Sequence, residues 1–204
     1  ARRGLIVKSG GTLEQHARVR SAAFDKTGTL TSGKPTLART HLEAGVTAPQ
    51  LLQLAASAEV YSSHVLAAAI VQTARDQGLP ILSMRDASEF ATNGVEATLA
   101  AEEEALQTIP GIPSGQKGTV RVGKPNWVAE NTSGFERVAL EPGELAIYVS
   151  LDGRYVGALV MRDHVRPEAA TTIAELRGLG VDRMLIVTGD IKSTAGAIAK
   201  EVGI

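Results

Sequence analysis

The chain has 204 residues and a formal net charge of −1, with 44% hydrophobic and 21% charged residues. This composition is ordinary for a soluble globular protein, and no apolar run approaches the roughly 20 residues that a membrane-spanning helix needs. The near-neutral charge and 3% aromatic content argue against a nucleic-acid partner, and the absence of cysteine excludes disulfides and thiolate metal sites.

The first predicted element is a buried strand that follows Arg20, runs through Phe24 and ends at Asp25. Gly28 and the threonines around it then break the chain into a loop. Asp25 is therefore expected at the carboxyl end of a strand.

The middle of the chain predicts two helices followed by an antiparallel sheet. Thr47 and Pro49 are start signals for the first helix, and the second is expected from Val65 to Gln77. Residues 101–118 are predicted to be an acidic loop or hairpin region. Strands are expected at Val95–Leu99, at Thr119–Val122 and in the hairpin ELAIYVSLDGRYVGALVM, where Asp152-Gly153 is a tight-turn signal.

Beyond Met161 the pattern changes to strand, loop and helix. A helix is predicted from Pro167 through Leu179, then the buried strand MLIV, and then a helix from Ser193 to Val202. Such alternation is typical of parallel α/β folds.

The two ends of the chain are therefore expected to share one parallel sheet. The predicted fold is a parallel α/β domain, made of residues 1–34 and 162–204, with an α+β antiparallel-sheet domain at 35–161 inserted into it. Ligands of parallel sheets bind beyond the carboxyl ends of the strands, so the site is expected to be split across the sequence.

The string DKTGTLT carries the strongest chemical signal. A carboxylate at a strand end, followed by small hydroxylated residues, suits a metal ligand or a nucleophile toward a phosphoryl group. Taken alone, such an Asp would more often lie in an ordinary loop or cap a helix.

The full string, followed by Gly33, Lys34 and Pro35, resembles the phosphorylation motif of P-type ATPases, whose phosphorylation domain has a haloacid dehalogenase-like fold. The resemblance implies that Asp25 attacks the γ-phosphate of ATP. It also implies that Mg2+ is held by the Asp25 carboxylate and the Thr27 carbonyl, while Lys26 and backbone amides neutralise the transferring group.

Thr27 distinguishes two branches of this superfamily. Its phosphatases carry a second Asp two residues after the nucleophile, which protonates the leaving group and activates water. Threonine does not titrate near neutral pH, so a phospho-aspartate at Asp25 is expected to persist, as a pump requires.

Two later segments also resemble motifs of the family. The TGD triplet at Thr188, Gly189 and Asp190 resembles its second phosphate site, although such a triplet is also common in turns. The segment RDHVRP, with Asp163, Arg166 and Pro167, resembles its hinge, although a helix start would look the same.

The middle segment indicates the subclass. SSHVLAAAIV resembles the Ser-Glu-His-Pro-Leu-Ala motif of heavy-metal pumps, which implies that His64 and Glu59 contact the adenine end of ATP. Gly94 and Gly123 resemble the glycines that let ATP approach the backbone. A histidine at a helix start is otherwise a cap or simply exposed.

Five positions depart from the family pattern. A side chain at residue 92 restricts close approach of a ligand to the backbone, which is the reason that glycine is used there. The departures are Ser63 for Glu, Val65 for Pro, Thr92 for Gly, Lys124 for Asn, and Ile191 for Asn after TGD.

The sequence thus predicts the ATP-binding and phosphorylation segment of a heavy-metal cation-transporting P-type ATPase, on the cytoplasmic side of a membrane protein. ATP and Mg2+ are the expected ligands, with the transmembrane and actuator domains as partners and the transported cation bound elsewhere. Two alternatives stay open: a soluble haloacid dehalogenase-type phosphohydrolase, and a catalytically silent nucleotide-binding module.

Overall fold

The computed structural model describes residues 9–100, 118–141, 143–189 and 192–204. The chain divides into two compact units, which we call the split unit (Ala1–Gly33 with Val165–Ile204) and the inserted unit (Lys34–His164). Each unit has a hydrophobic core of its own. Most of the predicted loop at residues 101–118 lies outside the described residues.

The described residues form helices and strands in both units. In chain order they are α1 Gly10–Ala17, β1 Ser21–Asp25, β2 Thr36–Leu42, α2 Ala48–Glu59, α3 Val65–Asp76, β3 Met84–Phe90, β4 Gly94–Leu99, β5 Thr119–Gly123, α4 Pro125–Ala129, β6 Glu144–Leu151, β7 Arg154–Arg162, α5 Ala169–Gly178, β8 Arg183–Val187 and α6 Lys192–Val202.

The split unit is built on a parallel pair of strands from opposite ends of the chain. Strands β1 and β8 pair in parallel, with Asp25 opposite Val187. Side chains alternate between the two faces, and one face packs on a core that includes Met184, Ile173 of α5 and Ile198 of α6. The predicted parallel α/β class is confirmed for this unit.

The described residues of the inserted unit form a six-stranded antiparallel sheet in the order β2-β7-β6-β5-β4-β3. Helices α2 and α3 pack on it over a core of small and branched side chains. The predicted β6–β7 hairpin is confirmed: Asp152 and Gly153 at its turn have φ of 47° and 72°, the left-handed conformation of the tightest hairpin turns.

The two predicted helices of this unit begin at the expected signals. Thr47 and Gln50 form a capping box at the start of α2, with a proline in its first turn. Helix α3 begins at Val65, directly after His64. Among the described residues, no helix combines the length and apolar character needed to cross a membrane.

Five elements differ from the sequence predictions, and one of them is the short helix α4 at Pro125–Ala129, which was not predicted. Helix α5 begins at Ala169 instead of Pro167, because residues 166–168 form a turn in which the Ala169 amide donates to the Arg166 carbonyl. The pattern did not indicate α1, whose first two residues are glycines with low helix propensity. Strands β2 and β3, at the two edges of the sheet, were also missed.

Candidate functional site

Asp25 is the last residue of β1 and its side chain is exposed. The next five residues, Lys26–Leu30, form an irregular turn in which Thr27 is extended and Gly28 has φ of 78°. Only glycine adopts that conformation without a steric penalty, so the turn depends on the small residue between the two threonines. The turn directs the chain away from the sheet immediately after the carboxylate.

Two sets of hydrogen bonds close this turn. The Thr31 amide and hydroxyl both donate to the Lys26 carbonyl, at 3.0 and 3.1 Å. The Arg166 guanidinium donates to the Gly28 carbonyl at 3.0 Å, from a position 138 residues later in the chain. Arg166 therefore fixes the loop that follows Asp25, within the split unit.

The second predicted phosphate motif lies at the same edge of the sheet. Because Asp25 pairs with Val187, Thr188 and Gly189 leave the sheet at the carboxyl ends where the Lys26–Leu30 turn also begins. The topology therefore places both loops at one end of a parallel pair, where ligands of such sheets bind. Asp190 lies outside the described residues.

The predicted magnesium donors are hard oxygen atoms on two residues that are separated by Lys26. Asp25 offers a carboxylate and Thr27 a backbone carbonyl, and the described residues contain no group of three or more histidine or acidic side chains placed so that they could hold a metal ion. Mg2+ in phosphoryl-transfer sites is usually held by one or two protein carboxylates, with water and substrate phosphate as the other ligands. The donor set fits that pattern.

The inserted unit contains a cavity of about 490 Å³. All four residues predicted to contact nucleotide line it: Glu59, His64, Gly94 and Gly123. Leu66, Phe90 and Ile147 are among the apolar residues of its wall, and Lys124 adds a cation. Concave, mainly apolar sites with a few polar groups are typical of small-molecule binding.

Glu59 is the buried acid of this cavity. It ends α2 with 6% of its surface exposed. Its pKa is raised to about 7, mainly by burial, because a low-dielectric environment disfavours the charged carboxylate. A hydrogen bond with Ser62 lowers the pKa and the nearby Glu89 carboxylate raises it, both by less than burial does. The carboxyl group is therefore poised to change protonation near neutral pH.

His64 caps α3 and lines the cavity at the same time. Its Nδ1 accepts a hydrogen bond from the Leu66 amide at 3.2 Å, so the proton of the neutral ring is on Nε2. Capping and a ligand contact, which are alternatives in the sequence, are thus compatible in one side chain. The contact with ATP stays a prediction.

Gly94 and Gly123 face each other across β4 and β5. A methyl group on Gly94 would lie 2.1 Å from the Val122 carbonyl oxygen, and one on Gly123 would lie 2.3 Å from that of Asn93. Both glycines are therefore required for the close approach of the two strands. This packing explains them whether or not a ligand contacts their backbone.

Thr92, which replaces a glycine of the family pattern, keeps a glycine-like backbone. Its φ is 67° in the turn between β3 and β4, and it lines the cavity. The left-handed region is unfavourable for a β-branched residue. The substitution thus introduces both a side chain and backbone strain at the cavity.

Several lining residues were not found from the sequence. Glu89 and Phe90 belong to β3, which was not predicted, and Phe90 packs against Trp127 with ring centroids 5.3 Å apart. The available signal was the position of Phe90 beside the ATNG turn, since the chain has only three Phe, three Tyr and one Trp.

Comparison with known proteins identifies a family. A family profile described as haloacid dehalogenase-like hydrolase matches residues 19–204. The zinc/cadmium/lead-transporting P-type ATPase of Escherichia coli (strain K12) is 35% identical over 204 residues, which are 100% of this chain and 26% of that protein. The manganese-exporting P-type ATPase of Mycobacterium leprae is 34% identical over 205 residues, or 100% of this chain and 27% of that protein.

A solved structure supports the same relationship. The crystal structure of a zinc-transporting PIB-type ATPase in its E2.Pi state matches with a TM-score of 0.72 and 32% identity, covering 100% of this chain and 31% of that chain. The chain therefore spans about a quarter of the length of these curated relatives and under a third of the solved pump.

Proposed function

We propose, since this chain belongs to the haloacid dehalogenase-like hydrolases and within them to the heavy-metal-transporting P-type ATPases, that it binds ATP and carries the phosphorylated aspartate, Asp25, of a metal-cation pump. The pump's transmembrane and actuator domains are the partners, and the segment works on the cytoplasmic side. The transported metal is bound outside this segment.

The observation that carries the nucleotide half of the proposal is the single cavity that brings together Glu59, His64, Gly94 and Gly123. Its apolar wall suits the faces of a purine, while the Nε2 hydrogen of His64 and the Glu59 carboxyl group can hydrogen-bond to the purine edge. Lys124 supplies positive charge for the phosphates.

The phosphoryl half rests on Asp25. Its carboxylate oxygen forms a bond to the γ-phosphorus as the bond between that phosphorus and the bridging oxygen breaks, and ADP leaves with that electron pair. Lys26, the Thr188 hydroxyl and the Gly189 amide offset the negative charge on the transferring group. Magnesium, when bound at the Asp25 carboxylate and the Thr27 carbonyl, supplies further positive charge.

Thr27 makes the product of this step long-lived. It has no group that can act as a base toward water at neutral pH, so the acyl phosphate persists until another part of the protein hydrolyses it. The segment should therefore turn over small phosphate esters poorly, and rapid turnover of such esters would favour a soluble phosphohydrolase instead.

Calorimetric titration with ATP tests the nucleotide site. His64→Ala should weaken binding at least about fivefold, which corresponds to about 1 kcal/mol, the usual worth of a hydrogen bond. His164→Ala is the matched control, because His164 bonds to Thr36 in the same unit and does not line the cavity. Equal affinities for wild type and both variants would remove His64 from the site.

A further inference from the structure

Glu89 is an exposed carboxylate at the end of β3 that gathers several hydrogen bonds from one short loop. Its Oε1 accepts from the Ser62 hydroxyl at 2.8 Å, from the Ser63 amide at 3.0 Å and from the Ser63 hydroxyl at 3.3 Å. Its Oε2 accepts from the same Ser63 hydroxyl at 3.3 Å. One side chain thus ties the α2–α3 loop to the sheet.

These contacts continue to His64. The Ser62 hydroxyl, which donates to Glu89, accepts a hydrogen bond from the His64 amide at 3.2 Å. The His64 ring in turn accepts from the Leu66 amide. A chain of hydrogen bonds therefore runs from the β3 carboxylate through Ser62 to the backbone that sets the position of the imidazole.

We propose that Glu89 is a positioning residue, which holds the Ser62–His64 loop so that the His64 ring keeps its Nε2–H tautomer and its place in the cavity. The proposal rests on the function proposed above, in which His64 contacts ATP. Nothing in the family resemblance of the sequence singles out Glu89, which entered the site only through the structure.

Because Glu89 is charged, positioning of His64 and electrostatic repulsion of ATP predict opposite effects on binding when its carboxyl group is removed. The hydrogen bond from Ser62 and that from the Ser63 amide lower the pKa of Glu89, so the side chain is anionic at neutral pH. An anion that lines a cavity for a polyphosphate repels the ligand. Removing the whole carboxyl group, as in Glu89→Ala, should tighten ATP binding if electrostatics is its only effect, and should weaken binding if the group positions His64.

Two measurements on the complete 204-residue chain test this. The first is the 15N shifts of the His64 ring without nucleotide, in wild type, Glu89→Ala and Glu89→Gln; the chain has four histidines, so assignment is tractable. The second is calorimetric titration of the same proteins with ATP, with Glu43→Ala as a control that removes an exposed carboxylate outside the cavity.

Glu89→Ala should shift the ring nitrogens from a pure Nε2–H pattern toward a mixture of tautomers and weaken ATP binding severalfold. Glu89→Gln keeps an acceptor for Ser62 and the Ser63 amide and removes the repulsive charge, so it should retain the wild-type ring pattern and bind ATP at least as tightly as wild type. Glu43→Ala should change neither quantity.

A double-mutant cycle completes the test. In a His64→Ala background, Glu89→Ala should no longer weaken ATP binding; an equal weakening there would mean that Glu89 acts on the ligand directly and would overturn the proposal. Unchanged ring shifts, or tighter ATP binding, in Glu89→Ala would also overturn it. If wild type binds no ATP while the ring shifts respond, the proposed function fails and the link between Glu89 and His64 stands.

Discussion

At the scale of single residues, the burial of Glu59 couples the stability of the inserted unit to pH. Its pKa is about 7 in the folded chain against an ordinary 4.5, so between these pH values the folded state holds a proton that the unfolded state has lost. The free energy of unfolding should therefore fall as pH rises from about 4.5 to 7, by on the order of 3 kcal/mol.

Glu59→Gln should remove this pH dependence, because the neutral amide has no proton to lose. Urea unfolding followed by the fluorescence of Trp127, the single tryptophan of the chain, measures it at pH 5 and pH 8. The variant should gain stability over wild type at pH 8 relative to pH 5, whereas Glu43→Gln should not. A wild-type decrease that persists in Glu59→Gln would assign the effect to other groups.

Thr92 stores strain that a single substitution can release. Left-handed backbone costs a residue with a side chain about 1–2 kcal/mol, and glycine avoids that cost. Thr92→Gly should therefore raise the free energy of unfolding by about 1 kcal/mol, measured by the same urea titration. Ala91→Gly, in the same turn but without positive φ, should lower it; a stabilisation of equal size in both variants would argue against strain at Thr92.

At the scale of elements, the start of α3 has a geometry in which a proline should increase stability. His64 has ψ of 144°, the conformation favoured before proline, and the first amide of a helix has no partner within it. Val65→Pro should therefore stabilise the inserted unit by about 0.5–1 kcal/mol in urea unfolding, chiefly by restricting the unfolded chain.

A proline one residue later, at position 66, is the control for Val65→Pro. Leu66→Pro removes the amide that donates to His64 Nδ1 and forces Val65 away from helical geometry, so it should destabilise the unit. If both proline variants destabilise equally, α3 does not begin at Val65.

The sequence predicted the elements that have strong patterns and missed those at the edges of the sheet. Strands β2 and β3 are the two edge strands, so many of their side chains face water. In β3 the register also shifts between Arg85 and Ser88, and Asp86 has φ of 52°, which breaks the period of two on which strand prediction depends.

In the candidate site, too, the sequence predicted the residues that belong to local motifs and missed those whose contacts are distant in the chain. The sequence predicted four residues that line the cavity, because they match family motifs: Glu59, His64, Gly94 and Gly123. It also predicted the turn after Asp25, because Gly28 interrupts the strand pattern. Glu89 was not found, since its role depends on a contact between positions 26 residues apart. The left-handed backbone of Thr92 was equally hidden, because threonine gives no local signal for it.

At the scale of the whole molecule, the inserted unit should be separable. It runs without interruption from Lys34 to His164 and has its own core, in which Leu51, Leu159 and Met161 are fully buried. A fragment of residues 34–164 should therefore fold alone and bind ATP within about threefold of the complete chain, as measured by calorimetry. Loss of binding in a folded fragment would mean that the split unit contributes to the nucleotide site.

The split unit contains Asp25, the residue proposed to carry the phosphoryl group. Asp25 ends a parallel strand beside the loop of Thr188 and Gly189, and Thr27 provides no group to hydrolyse a phosphate on Asp25. An acyl phosphate is stable in acid and cleaved by hydroxylamine, so its formation can be followed directly.

The most direct test is labelling of the proposed pump with ATP that carries radioactive γ-phosphate. Wild type, and an Asp182→Asn control with an exposed carboxylate before β8, should show acid-stable label that hydroxylamine releases, while Asp25→Asn should show none. Hydroxylamine-sensitive label that persists in Asp25→Asn would place the phosphoryl group on another residue and contradict the account.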